Sequence, residues 1–411
     1  SMIQCGSYTG NGSTTGPVID LGFEPQFLMI KNATDAGTDW IVFDSMRDLA
    51  VGDALDGLRW NTDDAEAEFG AGIDLNASGF QVKASYSQLN KNNSNYIYMA
   101  IRREDMATIT DATEVFATSI RSSSDGEGKY TSGFPVDFSI ARTYDTTGNN
   151  FAFTRLTNSH LQTNANVVEA TSAGDVLWDV MDGFTIGGSG LNTFFGGSTD
   201  NINWMWKRAK GYFDVVAEPI ASAQMSGPAS TSYNPSHNLG AVPEMIWVKD
   251  ADNADNWAVY HSALGTSKKL VLNSSAAEAS ASWAVAAGNF NYYSFGNSTG
   301  NAICYLFATL AGVSKVGTYT GTGSTQTIDC GFTSGARFVL IKCINDAENW
   351  IVFDTTRGIV SGNDPLLTLN TTDAQSTNSD LIDSASSGFA VNTNSGEINN
   401  SSNSYLFYAI A

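Results

Sequence analysis

Basic residues are scarce in this sequence. It has 21 Lys and Arg against 42 Asp and Glu, a formal net charge of −21, and charged residues make up only 15% of its 411 residues. Nucleic acids and anionic membranes are bound through clustered Lys and Arg. The tight basic pairs, Arg102-Arg103 and Lys207-Arg208, each follow an aromatic-rich run and are predicted to mark strand ends. The charge pattern therefore excludes a nucleic-acid partner.

Long apolar runs and cysteines are also scarce. The longest apolar runs, such as 305–311, are far shorter than the ~20 residues of a membrane span, so we predict no membrane insertion. Cys5, Cys304, Cys330 and Cys343 show no CxxC spacing. Free thiols are the prediction, with a bridge between Cys330 and Cys343 as the alternative. Proline is rare too, at 8 residues against 39 glycines, a balance that favours strands joined by turns.

Internal repetition is what the sequence does contain. The run YTGNGST at 8–14 returns as YTGTGST at 319–325, and WIVFD at 40–44 returns unchanged at 350–354. The run YIYMAI at 96–101 likewise matches YLFYAI at 405–410. The offset between the paired runs stays nearly constant, so the first and last repeats are homologous.

Two more diverged copies lie between them. The third carries MIWVK at 245–249 and WAVY at 257–260, and the second carries FSIAR at 138–142 and FAF at 151–153. The closing runs begin at Tyr96, Trp204, Tyr305 and Tyr405. We predict four tandem domains with bounds 1–104, 105–210, 211–312 and 313–411.

Each repeat reads as short strands bounded by Gly, Asn, Asp and Ser. In the first repeat the predicted strands are 4–8, 16–21, 26–31, 40–44, 58–61, 79–84 and 96–101. This spacing indicates an all-β, jelly-roll-like β-sandwich of about 100 residues. The apolar runs 27–30 and 40–43 are predicted as central strands covered on both faces, and 63–68, with its counterpart 276–281, as a helical turn. Short junctions predict neighbours packed directly, as a rigid rod or a compact ring.

Catalytic motifs are not found. His160, His237 and His261 fall at unrelated points of their repeats, and the sequence holds no GxSxG, HExxH or Walker run. Pairs of carboxylates, as glycosidases use, are nonspecific among 42 acidic residues. We predict that the protein is not an enzyme, without catalytic or metal-ligating residues.

Two features of the strand ends invite a functional interpretation. Asp44 precedes Arg47 by three residues, and Asp354 precedes Arg357 by the same spacing. Because a carboxylate at a strand end orients a guanidinium, we predict a structural turn clamp, with ligand contact as the alternative. Acidic turns recur at Asp35–Asp39, Asp145, Asp252–Asp255 and Asp346–Glu348. We predict that these are exposed turns that bind no cofactor, with Ca²⁺ binding as the alternative.

Aromatic residues give the remaining candidates. Trp40, Trp257 and Trp350 share one repeat position beside apolar strands and are predicted to pack in cores. The diverged repeats hold further aromatics beside Asn and Gly, a combination that stacks on and hydrogen-bonds sugars. These predicted binding residues are Phe194, Phe195, Trp204, Trp206, Tyr292 and Tyr293.

The motif order resembles repeats in tail-fibre-like virion structural proteins of marine bacteriophages. In the first repeat the order is Y-T-G-x-G-S-T, G-F-x-P-x-F-x-x-I-K, W-x-x-F-D, N-T-x-D-A, G-F and Y-x-Y-x-A-I-R. The fourth repeat departs at 333–336, where the Glu-Pro turn is missing. The resemblance implies an acidic, non-enzymatic all-β virion appendage with other virion proteins as partners, and host adhesion through a surface glycan or receptor. It carries no catalytic residues to transfer.

Two alternatives stay open. One is a secreted bacterial carbohydrate-binding or adhesin protein, which places the chain outside the cell rather than in a virion. The other is a polysaccharide-degrading tailspike. No heptad or collagen-like run is present to set an oligomeric state.

Overall fold

Short apolar runs separated by Gly, Asn, Asp and Ser set the strand pattern, because β-branched and aromatic residues favour strands and the intervening residues favour turns. The computed structural model describes the chain except residues 1, 48, 50–54, 71, 104–105, 107, 123–127, 158, 172–175, 179, 188–193, 196–199, 221–233 and 293–299. The described elements are nearly all strands, with 3-10 turns at Ala112–Glu114 and Ser262–Leu264. The predicted all-β class is confirmed.

The strands fall within the four predicted repeats. The first holds β1 (Ile3–Thr9), β2 (Val18–Asp20), β3 (Pro25–Asn32), β4 (Trp40–Asp44), β5 (Asp56–Arg59), β6 (Ala67–Glu68), β7 (Ile73–Asn76), β8 (Gly79–Val82) and β9 (Asn95–Arg102). The second holds β10 (Phe116–Arg121), β11 (Gly128–Thr131), β12 (Phe138–Thr143), β13 (Phe151–Thr154), β14 (Ser159–Gln162), β15 (Ala170–Thr171), β16 (Val176–Leu177), β17 (Gly183–Ile186) and β18 (Asn201–Trp206).

The later repeats continue the pattern. The third holds β19 (Phe213–Ile220), β20 (Met245–Asp250), β21 (Ala258–His261), β22 (Lys268–Val271), β23 (Ala279–Ser280), β24 (Trp283–Val285), β25 (Phe290–Tyr292) and β26 (Gly300–Phe307). The fourth holds β27 (Ser314–Thr320), β28 (Gln326–Asp329), β29 (Phe338–Cys343), β30 (Trp350–Asp354), β31 (Leu367–Thr368), β32 (Ile382–Ala385), β33 (Gly388–Val391) and β34 (Ser404–Ile410).

Every repeat pairs a large sheet with a small one. In the first repeat the orders are β1-β9-β3-β4-β5-β6 and β2-β8-β7. The second has β10-β18-β12-β13-β14-β15 with β11-β17-β16, the third β19-β26-β20-β21-β22-β23 with β24-β25, and the fourth β27-β34-β29-β30-β31 with β28-β33-β32. In the fourth, Val339 and Ile341 of the large sheet share one core cluster with Phe389 and Val391 of the small sheet. The repeat is therefore a two-sheet sandwich.

The predicted helical turn at 63–68 is wrong. Residues 63–66 are irregular, and Ala67–Glu68 forms a short strand that pairs with β5. Its counterpart in the third repeat, Ala279–Ser280, pairs with β22 in the same way. Strand β7 was not predicted either, because Ile73–Asn76 holds only two apolar residues. Pairing with the sheet edge overrides the weak helix propensity of Ala and Glu.

The repeated Gly-Phe pair has a steric cause. A Cβ on Gly79 would lie 1.9 Å from the carbonyl oxygen of Ile19 on the neighbouring strand, and one on Gly183 would lie 1.9 Å from that of Tyr130. Such a distance is far inside van der Waals contact. Only glycine therefore lets the strands of the small sheet approach each other at this point.

The repeated Y-T-G-x-G-S-T run closes a loop around one buried asparagine. Asn90 is fully buried; its Oδ1 accepts from the Asn11 N–H at 2.8 Å, and its Nδ2 donates to the Ser13 carbonyl at 2.8 Å. Asn399 makes the same two bonds, with the Thr322 N–H at 2.9 Å and the Ser324 carbonyl at 2.8 Å. The motif is thus a structural loop.

Two joints between repeats are tight turns of one design. Ala209 bridges to Phe213 between the second and third repeats, and Leu310 bridges to Ser314 between the third and fourth. The φ angles of Gly211 and Gly312 are +74° and +75°, a conformation that glycine adopts at little cost. These joints leave no room for a flexible linker.

The chain divides into two compact units. Unit 1 comprises Ser1–Met106 with the short segments Thr154–Ser159 and Val216–Glu218. Unit 2 comprises Ala107–Phe153, His160–Val215 and Pro219–Ala411. Unit 1 therefore carries the first repeat, and unit 2 carries nearly all of the other three.

Candidate functional site

In unit 2, the side chain that opens the second central strand of each repeat reaches into a neighbouring repeat. In all three cases the backbone N–H of this residue donates to an asparagine of its own repeat. Its side chain donates to a backbone carbonyl of another repeat, two residues before the equivalent asparagine of that repeat. The side-chain bonds run from Trp257 to Gln162, from Trp350 to Val271 and from Asn150 to Thr368, at 2.9, 2.9 and 3.2 Å. The third repeat thus binds the second, the fourth binds the third, and the second binds the fourth.

A second set of bonds crosses the same three boundaries, with donor and acceptor repeats exchanged. Each is a backbone N–H five residues after that asparagine, donating to a carbonyl just beyond the first central strand of another repeat. The bonds run from Glu169 to Ala251, from Glu278 to Ile344 and from Gln375 to Tyr144, at 2.6, 2.9 and 2.9 Å. Because equivalent positions meet around a closed cycle, repeats two to four form a ring with approximate threefold symmetry.

A buried cation ends the first central strand of each ring member. Arg142, Lys249 and Lys342 are fully buried. Arg142 Nη1 donates to the Thr368 carbonyl at 2.9 Å, and Lys342 Nζ donates to the Ser275 carbonyl at 3.2 Å, both across a repeat boundary. Burial lowers the pKa of both lysines to about 8 and that of Arg142 to about 10. Lys249 Nζ donates instead to the Asp250 and Asn253 carbonyls of its own repeat.

Lys249 gives a pH-dependent stability that can be measured. Its folded pKa of about 8 lies below the ordinary 10.5, so between these values the unfolded chain binds more protons and rising pH favours folding. The unfolding free energy of the wild type minus that of Lys249→Met is expected to rise by up to ~1.4 kcal/mol per pH unit in this window. Urea denaturation at several pH values measures it, and the subtraction removes other titrating groups. A flat difference would show that the ammonium keeps its proton.

Aromatic side chains fill the centre of the ring. Phe138 of the second repeat lies 4.4 Å from Tyr305 of the third, measured between ring centroids. Phe307 of the third repeat lies 5.0 Å from Tyr408 of the fourth. Phe338 of the fourth lies 6.1 Å from Trp204 of the second, which closes the cycle. Aromatic pairs of this kind stabilise a contact beyond the effect of burying their apolar area.

The first repeat exposes the same sheet face. Strand register places Ile97 of β9 where the fourth repeat has the fully buried Leu406. Ile97 is 42% exposed, and Trp60, which directly follows β5 of the same sheet and contacts Phe27, is 58% exposed. Phe27, Met29, Lys31 and Trp40 on this face are only half-buried. The prediction that both central strands are covered on both faces is therefore wrong for the first repeat, while β29 and β30 of the fourth repeat are buried throughout.

Trp257 and Trp350 are fully buried, but between repeats rather than in the core of one sandwich. Their indoles donate across repeat boundaries, and Trp40 in the first repeat is half-buried. The interpretation of this position as core packing is corrected accordingly. The physical reason is that the side chain points away from the small sheet, onto the outer face of the large one.

The Asp–Arg spacing forms an ion pair in both outer repeats. Arg47 Nε donates to Asp44 Oδ2 at 2.8 Å, with both side chains about a quarter exposed. Arg357 Nε donates to Asp354 Oδ2 at 2.6 Å, where both side chains are buried. Trp204 Nε1 of the second repeat donates to the same Asp354 oxygen at 3.1 Å. The fourth-repeat clamp therefore also belongs to the ring interface.

The aromatic residues predicted to stack on sugars are buried wherever they are described. Phe194 and Phe195 lie in the sandwich core of the second repeat, and Tyr292 stacks on Trp283 at 4.3 Å. Trp204 and Trp206 lie in the ring, fully buried. Tyr293 lies outside the described residues. Buried ring faces are not accessible to a sugar, so the expectation of exposed aromatics is corrected for these five residues.

Histidines and acidic turns have local roles. His261 is buried, its pKa is lowered by burial to about 4, and Nδ1 accepts from the Ala263 N–H at 3.2 Å. Asp35 bonds Lys91, Ser94 and Asn32, and the Lys91 bond contributes most to lowering its pKa to about 2. Within the described ranges, no group of three His, Cys, Asp or Glu is placed to hold a metal ion. All four cysteines are free thiols, so the alternative Cys330–Cys343 bridge is not formed.

A family model covers nearly the whole chain. It is described as a domain of unknown function, DUF7483, and it matches residues 3–104 and 111–411. The chain belongs to the DUF7483 family. No curated protein and no solved structure matches it. Along the sequence of this DUF7483 chain, the gap between the two matched segments separates the first repeat from the ring. The boundary of the two compact units falls in the same gap.

Four asparagines that hold the central strands of this DUF7483 chain were not predicted as functional residues. The asparagines Asn61, Asn164, Asn273 and Asn370 each accept the N–H that opens a central strand, at 2.8–3.0 Å. Their recurrence was visible, but not their role. Asn150 stands where the other repeats have Trp, and its position one residue before β13 was the available signal. No described helix is long and apolar enough to cross a membrane.

Proposed function

We propose that this chain is a non-enzymatic structural subunit of a phage virion appendage, such as a tail fibre. The observation that carries the proposal is the closed ring of repeats two to four. Side chains at equivalent positions join its repeats. Indoles and buried cations donate hydrogen bonds across the repeat boundaries, and aromatic rings pack against one another there.

A load-carrying role fits this use of side chains. The joints within the ring are tight turns and each boundary is hydrogen-bonded, so repeats cannot move independently. Domains held in fixed relative positions suit a part that carries load better than a cleft that opens and closes around a substrate. The resemblance of the motif order to that of tail-fibre-like proteins supports the same proposal.

Mass spectrometry of purified virions from a phage that encodes the chain tests the proposal. We expect its peptides at the abundance of other structural proteins, and gold-labelled antibodies on an appendage. Detection only in the medium of uninfected bacteria would instead support a secreted adhesin.

Incubation with host polysaccharide tests the non-enzymatic part. No release of reducing sugar is expected from the purified chain. Release that a heat-denatured sample lacks would contradict the proposal and favour the tailspike alternative. A glycan array then separates adhesion from a purely structural role.

A further inference from the structure

We infer that the exposed sheet face of the first repeat is an interface for two further copies of this chain, which associate through it into a homotrimer. The face lies on the large sheet of unit 1 and is defined by Phe27, Met29, Lys31, Trp40, Trp60, Ile97 and Met99. We call it the unit 1 face. The inference stands on this face alone and holds whether or not the chain is part of a virion.

The unit 1 face is apolar in an otherwise acidic protein. Ile97 and Trp60 are 42% and 58% exposed, and Met99, two residues from Ile97 on the same face of β9, is half-buried. Ile3 at the start of the neighbouring β1 is exposed as well. A contiguous apolar patch on a soluble protein marks an interaction site.

The ring shows what covers this face in the other repeats. Register matches Ile97 to Ile202, Ile303 and Leu406, all of which are fully buried. The faces that carry these three residues contact one another around the ring, through the pairs Phe138–Tyr305, Phe307–Tyr408 and Phe338–Trp204. The unit 1 face has the same chemistry, so we expect two equivalent faces to cover it.

The polar groups of the ring contacts are also present on the first repeat. Trp40 opens β4 as Trp350 opens β30, and its N–H is held by Asn61 at 2.8 Å as that of Trp350 is held by Asn370. The acceptor position, two residues before the asparagine, is the carbonyl of Arg59. That carbonyl accepts from Thr62 N–H at 3.4 Å, as the Val271 carbonyl accepts from Ser274 N–H at 3.3 Å beside its bond from Trp350. One copy thus carries both a donor and an acceptor.

This polarity selects a trimer over a dimer. In the ring, each repeat donates its indole or amide to one neighbour and accepts from the other, so the contact is head-to-tail. Head-to-tail contacts leave one donor and one acceptor unused until a cycle closes. The equivalent faces of repeats two to four are already buried, so the first repeat completes such a cycle only with the first repeats of two other copies.

The backbone contact supplies a covalent test. Glu278 N–H donates to the Ile344 carbonyl across the ring, and the corresponding residues of the first repeat are Glu66 and Ala33, both exposed. In a Cys5→Ser background, the double variant Ala33→Cys with Glu66→Cys is expected to form disulfides that link three chains. A non-reducing gel would show a band at three times the chain mass. Each single variant lacks one partner and is expected to run as a monomer, so a trimer band from either single variant, or none from the pair, overturns the geometry.

Sedimentation velocity of the full chain measures the assembly directly. We expect a particle of three times the 43.7 kDa chain mass, and its loss in Ile97→Asp, which places a charge at the centre of the contact. The matched control is Val18→Asp, which replaces an exposed apolar residue of the small sheet in the same unit and is expected to remain trimeric. A wild-type monomer at all concentrations, a dimer, or equal loss in both variants would overturn the inference.

Discussion

Replacement of Trp350 by alanine is expected to lower the unfolding free energy by ~3–5 kcal/mol, the cost of deleting a large buried aromatic side chain. The indole is fully buried, and its Nε1 donates to the Val271 carbonyl at 2.9 Å. Both the apolar contact and the bond link two repeats. Urea denaturation of the full chain, with hydrogen exchange on fourth-repeat peptides, measures the loss.

Two comparisons separate the causes. Trp350→Phe keeps most of the apolar volume but removes the donor and is expected to cost ~1–2 kcal/mol. Trp40→Ala, at the equivalent and half-buried position of the first repeat, is expected to cost less than Trp350→Ala when the copies are dissociated. If the two alanine variants lose equal stability, the position stabilises its own sandwich and not the ring.

Replacement of Asp214 by alanine is expected to lower the unfolding free energy by a similar ~3–5 kcal/mol, because it removes the carboxylate that pairs with a buried guanidinium. Arg208 Nε lies 2.5 Å from Asp214 Oδ1, and the two side chains are 2% and 0% exposed. The other oxygen, Oδ2, accepts from the Asn238 N–H at 2.7 Å. The pair flanks the turn that joins the second and third repeats. The shift of the urea midpoint at constant slope gives the cost.

The matched control is Asp182→Ala. Asp182 pairs with Lys129 at 3.1 Å, but both side chains are about half exposed. Exposed pairs contribute at most ~1 kcal/mol, so this variant is expected to unfold close to the wild type. Similar losses in the two variants would mean that burial does not govern the Asp214 pair.

The fold was predictable from the sequence because its determinants are local. Alternating or continuous apolar runs and turn residues give each strand, and repetition gives four copies. The errors came where strand pairing decides: Ala67–Glu68 joins a sheet edge despite helix-forming residues, and β7 has too few apolar residues to be recognised.

The ring was not predictable in detail for a different reason. A fully buried Trp reads the same in a sequence whether its own sandwich or a neighbouring repeat covers it. Trp204 and Trp206 were predicted to bind sugar because they are aromatic residues beside Asn, but another repeat covers the face on which they lie. Apolar residues on both faces of β26 and β34 were the signal that a second layer of protein lies outside the sandwich.

Asn150 has a consequence for how the chain reaches its native state. Adjacent homologous domains can pair with the wrong partner during folding. Because Asn150 replaces the indole found in the other repeats and bonds three carbonyls, of Thr368, Leu369 and Thr371, the contact of the second repeat with the fourth differs chemically from the two indole contacts of the ring. The divergence of the middle repeats thus favours the correct pairing of repeats as the chain folds.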